Sequence, residues 1–261
     1  MIVHHLNCAT MRPPGAGRLV PESLVAHCLL VERDSGLLLI DTGFSTADVA
    51  DPSRLPWFFR QAMGPALDAT EPAIAQIRAL GLDPGDVTDL ALTHLDLDHA
   101  GGLVDFPAAT VHVYADELHA ARHPRPQERA RYRSVQWAHG PKWREHRIAG
   151  ESWRGFESVT ALGDDVLLVP LLGHTRGHCG VAVRTGDDEW LLHAGDSYFH
   201  AGEVLTPPSY NRTLSVFQSM IAASNSQRRR NQERLRDLVA DHPEIRVFSA
   251  HDPTEFAALS G

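Results

Sequence analysis

The chain has 261 residues, 43% of them apolar and 22% charged, enough for one large domain or two small ones with a substantial core. Its formal net charge of −9 argues against nucleic acid as a general partner, because phosphate binding needs a basic face. Three cysteines form no CxxC pair, no apolar run reaches membrane-spanning length, and the start MIVHHLNCATMRPPG lacks a leader pattern; a reduced, cytoplasmic setting is expected.

Taken in chain order, Leu24 to Val31 and Leu37 to Ile40 are apolar runs separated by the turn-forming RDSG, which predicts two strands. Residues 51–70 contain proline and aromatic residues and read as an irregular surface segment. A helix is expected next, with Thr70 as N-cap, Pro72 in its first turn, Ile74, Ile77 and Leu80 on its apolar face, and Gly81 as its stop. TDLALT (88–93) is a short buried strand, and TVHVYADE (110–117) another. Residues 117–157 are rich in Arg, His and Trp without apolar periodicity, so a surface insertion serving as a lid is expected there. DDVLLVPLLGHT and GVAVRTGDDEWLLHAGD supply three more strands, residues 213–241 a helical region, and IRVFSAHDP a closing strand. This alternation predicts a layered α/β fold.

Sixteen histidines are many for this length, and histidine is the commonest metal ligand. HLDLDH places His94, Asp96, Asp98 and His99 in one loop directly after a strand, so one short segment could serve two neighbouring divalent ions. Three further ligand types follow apolar strands: His174 in GHTRGH, Asp196 in HAGDS and His251 in SAHDP. The basic run QRRRNQERLR reads as a solvated helix face, and His4 and His5 as surface residues. His193 is expected to be structural. Trp57, Phe58, Phe59, Trp137, Trp143 and Trp153 are either core or pocket wall.

In the order LLLIDTGF, THLDLDHAGG, GHTRGH, HAGDS and SAHDP, over residues 37 to 253, these segments resemble the metallo-β-lactamase superfamily. The resemblance implies one domain, residues 1–261, folded as a four-layer αββα sandwich. It implies two divalent metal ions per chain, zinc first, with His94, Asp96 and His174 on one and Asp98, His99 and His251 on the other. Asp196 would bridge them, with Asp41 and His178 in support. The superfamily's usual loop is HxHxDH, so Asp96 is a departure. Asp96 either coordinates as a harder ligand, which favours manganese or iron, or fails to reach the metal.

The activity so implied is hydrolysis of a lactone or small ester by a metal-bridged hydroxide, with Asp98 carrying a proton to the leaving oxygen. The length and the insertion at 117–157 resemble the lactonase-like branch. Tyr198, Phe199, Trp137 and Trp143 are the candidate contacts for a small-molecule substrate, although the homoserine-lactone hydrolases carry their tyrosine three residues after the bridging aspartate and Tyr198 follows by two. A non-haem di-iron redox enzyme and a ligand sensor with little turnover are the alternatives. Neither nucleic acid nor a membrane is an expected partner. Oligomeric state is left open, a homodimer being one option.

Overall fold

A computed structural model describes residues 1–148 and 151–261, so the expected insertion at 117–157 includes two positions, 149–150, outside the described residues. The first sheet runs in spatial order through β1 (Ile2–Met11), β2 (Leu24–Arg33), β3 (Gly36–Ile40), β4 (Val87–Ala91), β5 (Thr110–Tyr114) and β6 (Lys142–His146). The first two pairings are antiparallel and the last three parallel. A small hairpin, β7 (Ser152–Trp153) and β8 (Phe156–Glu157), precedes the second sheet. That sheet contains β9 (Val159–Thr160), β10 (Val166–Pro170), β11 (Cys179–Arg184), β12 (Trp190–His193) and β13 (Ile245–Phe248), with β12 and β13 parallel.

The helices are α1 (Thr46–Ala50), α2 (Trp57–Met63), α3 (Ala73–Ala79), α4 (Leu97–Ala100), α5 (Ala115–Arg122), α6 (Arg212–Ile221), α7 (Asn225–Asp241) and α8 (Pro253–Leu259). β2 shows why its sequence is almost continuously apolar: a central strand of a covered sheet is buried on both faces. Leu29 and Val31 point between the sheets, against Leu168, Val181 and Phe248. Leu30 points the other way, into a cluster with Ile77 of α3 and Leu118 of α5. The second sheet does the same: Leu192 and Val169 meet Leu235 and Leu238 of α7. Each fully buried aliphatic side chain stabilises the fold by roughly 1.5–3 kcal/mol. The result is four layers, α–β–β–α.

Four expectations change. Ile2–Met11 is a full edge strand, and His5 Nδ1 lies 2.8 Å from His27 Nε2 rather than in solvent. Its polar residues hid the strand: Leu6 and Cys8 enter the core on one face, while on the other the polar His5 packs against His27 and Phe248. Residues 51–70 include the helix α2, and the following helix is capped by Pro72, leaving Leu80 44% exposed beyond its end. The region 213–241 is two helices, because Ser224 caps α7 by accepting from the Gln227 N–H. Residues 142–146 form β6, the outer strand of the first sheet, so this part of the expected insertion belongs to the sheet itself.

β10, β12 and β13 run in one direction, since β11 is antiparallel to both β10 and β12. Their C-terminal ends, and those of β3 and β4, meet at one edge of the two sheets. That edge holds the candidate site.

Candidate metal centre

Four loops converge there. His94, Asp96, His174 and Asp196 form one group and Asp98, His99 and His251 a second; within each, the ligand atoms lie within 4.8 Å of one another. Asp196 stands between the groups. Its Oδ1 is 3.1 Å from His251 Nε2 and 3.2 Å from His99 Nε2, and its Oδ2 is 3.2 Å from His174 Nε2 and 3.8 Å from His94 Nε2. Asp98 lies at the edge of the second group, with Oδ2 3.8 Å from His251 Nε2.

The ring orientations are held from behind. His99 Nδ1 donates to Asp41 Oδ2 at 2.8 Å, His251 Nδ1 to the Val25 carbonyl at 2.7 Å, and His94 Nδ1 to Thr93 Oγ1 at 2.9 Å. Thr93 passes its own hydroxyl proton to Asp41 at 2.7 Å. Each bond fixes the tautomer that turns an Nε2 lone pair inward, as a metal-ligating histidine requires. Burial by itself would raise the Asp41 carboxyl, but the His99 ring beside it holds it down to about 2. Asp41 sits at φ 54°, in the left-handed region that aspartate tolerates.

His178 uses both ring nitrogens: Nδ1 donates to the Leu171 carbonyl at 2.9 Å, and Nε2 accepts the Asp196 backbone N–H at 2.8 Å. It positions Asp196 and has no lone pair left for an ion. Gly195, at φ 52°, makes this packing possible; a Cβ there would lie 2.5 Å from His178 Nε2.

His94 Nε2, His99 Nε2 and Asp196 Oδ1 are buried and, among the described residues, lack an aligned hydrogen-bond partner. Buried polar atoms left unpaired in this number, all aimed at one space, fit a site built for cations. The donor set is imidazole and carboxylate, suited to divalent metal.

Two supporting residues had no legible signal. Glu117, at the start of α5, is fully buried and accepts from the Leu95 N–H at 3.0 Å, the Thr175 hydroxyl at 2.6 Å and the Gly177 N–H at 3.1 Å. It ties the loop of His94 to the loop of His174. Arg131 reaches Asp96 and the same loops from the segment after α5.

A cavity of about 400 Å³ opens over the centre. Phe58, Phe59, Met63, Phe199, Phe217 and Met220 form its apolar wall, Asp96, Asp98, Asp196 and His251 line its floor, and residues from Arg125 to Tyr132 border it. Of the expected substrate contacts, Phe199 lines this cavity. The other expected substrate contacts are elsewhere. Trp137 and Trp143 pack against the core cluster outside the first sheet, which is where apolar rings with helix and strand neighbours are drawn. Tyr198 is fully buried and donates to Glu255 Oε1 at 2.8 Å; one residue earlier than Phe199, it faces away from the cavity. Trp57 is exposed, and Trp153 meets Trp190 edge to face. His193 is buried on β12, its Nε2 within 2.5 Å of the His27 carbonyl.

The chain is similar to known proteins in sequence and in fold. The family model described as the metallo-beta-lactamase superfamily matches residues 23–251. A probable metallo-hydrolase of Mycobacterium tuberculosis is 44% identical over 96% of this chain and 80% of its own length. An N-acyl homoserine lactonase of Rhizobium radiobacter is 26% identical over 87% of this chain and 82% of its own length. Among solved structures, an N-acyl homoserine lactone hydrolase with the product N-hexanoyl-L-homoserine at its catalytic metal center superimposes with a TM-score of 0.74, covering 98% of this chain and 95% of that one at 18% identity. A dizinc quorum-quenching lactonase superimposes with a TM-score of 0.61, covering 88% and 74% at 17% identity. No helix of the described residues is long and apolar enough to cross a membrane. The chain belongs to the metallo-beta-lactamase superfamily, as a metallo-hydrolase with lactonase-like relatives.

Proposed function

We propose that this protein is a dinuclear metal-dependent hydrolase that opens a lactone or small ester carrying an apolar substituent. The observation that carries the reading is the pair of ligand groups, with Asp196 between them, on the floor of a cavity whose wall is mostly apolar. His94, Asp96 and His174 would hold one ion, Asp98, His99 and His251 the other, and Asp196 both. Two divalent ions bound there would supply hydroxide near neutral pH and polarise an acyl carbonyl. Zinc is the first candidate, and the carboxylate at Asp96 favours manganese or iron more than an imidazole would.

The chain's own residues do the rest. The rings of Phe58, Phe59, Phe199 and Phe217 accept the apolar part of the substrate and displace water from the space above the ions. This leaves the acyl carbon over the floor. Asp98 lies on the cavity floor, so its carboxylate can receive a proton from the attacking group and return it to the leaving oxygen. The cluster of Asp41, Thr93 and His99 keeps the ring tautomers fixed throughout.

Metal analysis of the purified protein, with proton release followed on a panel of lactones and aryl esters, tests the proposal. Acid production from at least one lactone, lost in His174→Ala together with bound metal but with the circular dichroism spectrum retained, is the expected result. A metal-loaded protein inert toward the whole panel would overturn the substrate assignment. A His174→Ala variant with full metal content would overturn the site.

A further inference from the structure

We propose that Arg131 is a positioning residue whose guanidinium supplies the counter-charge that lets an aspartate, Asp96, occupy the loop position where the superfamily's usual pattern has a histidine. The inference rests on reading the site as a metal centre. Replacing a neutral imidazole by a carboxylate adds one negative charge beside two other carboxylates, Asp98 and Asp196. Such a cluster repels itself and is costly to bury without compensation.

Arg131 lies where compensation is needed. Its Nε is 3.4 Å from Asp96 Oδ1, and both side chains are nearly buried, at 14% and 15% exposure. The other oxygen, Oδ2, is 3.0 Å from His174 Nε2 and 3.5 Å from His94 Nε2. The carboxylate therefore has one oxygen toward the guanidinium and one toward the imidazoles that would share its ion. Among the described residues, no other Arg or Lys lies within 4.0 Å of Asp96, Asp98 or Asp196. The permanent positive charge is thus assigned to the one carboxylate that departs from the usual loop.

The rest of the guanidinium is held rigidly. Nη1 donates to the His174 carbonyl at 3.0 Å, and Nη2 to the Ile221 carbonyl at the end of α6 at 2.6 Å. Arg131 and Ile221 both line the cavity, on different segments. One side chain therefore joins two pieces of the cavity wall to two ligand loops. A planar fork with several donors can do this; a point charge can supply the compensation but not the full clamp.

The proposal separates charge from clamping, and so does its test. Wild type, Arg131→Gln, Arg131→Lys, Asp96→Asn and the Arg131→Gln/Asp96→Asn double variant are compared by urea unfolding without metal and by zinc competition against a chromophoric chelator. In the metal-free protein, Arg131→Gln is expected to lower the folding constant about tenfold more when residue 96 is aspartate than when it is asparagine, a coupling of about 1.4 kcal/mol. Zinc affinity is expected to fall by about 10- to 100-fold in Arg131→Gln, the range for outer partners of a metal site, and to recover in part in Arg131→Lys. Equal losses in the Asp96 and Asn backgrounds would reduce Arg131 to a clamp and overturn the counter-charge role. Tighter zinc binding in Arg131→Gln would overturn it too, by showing that repulsion between guanidinium and ion dominates. If wild type itself bound no zinc, manganese or iron, the metal-centre reading would fail, while the metal-free cycle would still judge the pair.

Discussion

Replacing Glu117 tests how the ligand loops are held. Its carboxylate sits at zero exposure and receives three donors: two backbone N–H groups at 3.0 and 3.1 Å and a hydroxyl at 2.6 Å. In Glu117→Ala all three lose their acceptor in a site that water does not reach. A buried donor without a partner costs about 1–3 kcal/mol, and the Thr175 hydroxyl can rotate toward another acceptor, so a total loss of about 4 kcal/mol is expected. Glu117→Gln keeps one acceptor oxygen but turns an N–H₂ toward the remaining donors, and about 2 kcal/mol is expected. A domain of ordinary stability, about 5–15 kcal/mol, survives either change at low temperature. Because Leu95 separates His94 from Asp96 and Thr175 follows His174, the folded variants should also hold metal more weakly. Urea unfolding followed by circular dichroism, with bound metal measured per folded chain, reads both effects. If Glu117→Ala lay within about 1 kcal/mol of wild type, the three hydrogen bonds would not be what aligns the loops.

Three further outcomes are expected. Metal-stripped wild type reconstituted with manganese or iron(II) should gain turnover relative to its zinc form when compared with Asp96→His, since an oxygen ligand is harder than imidazole; identical metal rankings would mean that Asp96 does not tune the site. Acid should weaken the fold through His27, whose burial, with His193 and His5 nearby, lowers its pKa from 6.5 to about 2. The unfolded chain then binds a proton below pH 6.5 that the folded chain refuses, so stability falls with pH, by about 1 kcal/mol from His27 alone between pH 6.5 and 5.5; a His27→Gln variant with the same acid loss as wild type would refute this. Trp143→Ala should cost about 2 kcal/mol of stability and leave KM unchanged, whereas Phe217→Ala on the cavity wall should raise KM with little loss of stability, and the reverse pattern in steady-state kinetics and thermal melts would contradict the placement of both rings.

The residue types of the centre were legible because they follow local rules. A buried strand shows itself as an apolar run, as in VLLVP and WLLH, and the polar residue just past its end is exposed to the sheet edge where loops gather. His94, His174, Asp196 and His251 carry that signature, and Asp96, Asp98 and His99 follow His94 in the same short segment, the last two in α4. The structure brings them to one edge.

The strand β1 and the role of β6 were hidden because a strand at the edge of a sheet keeps polar residues and weakens the period. Arg131 had no local mark at all, since its partners include Ile221, 90 positions away, and His174, 43 away. The same holds for Glu117 and for the difference between Tyr198 and Phe199, adjacent rings of which one fills the core and the other faces the cavity. Periodicity and spacing are properties of neighbours in the chain, and they specified the strands and the ligands that follow them. Charge compensation, tautomer control and cavity shape are properties of neighbours in space, and only the packed sheets and the loops crossing their edge decided those.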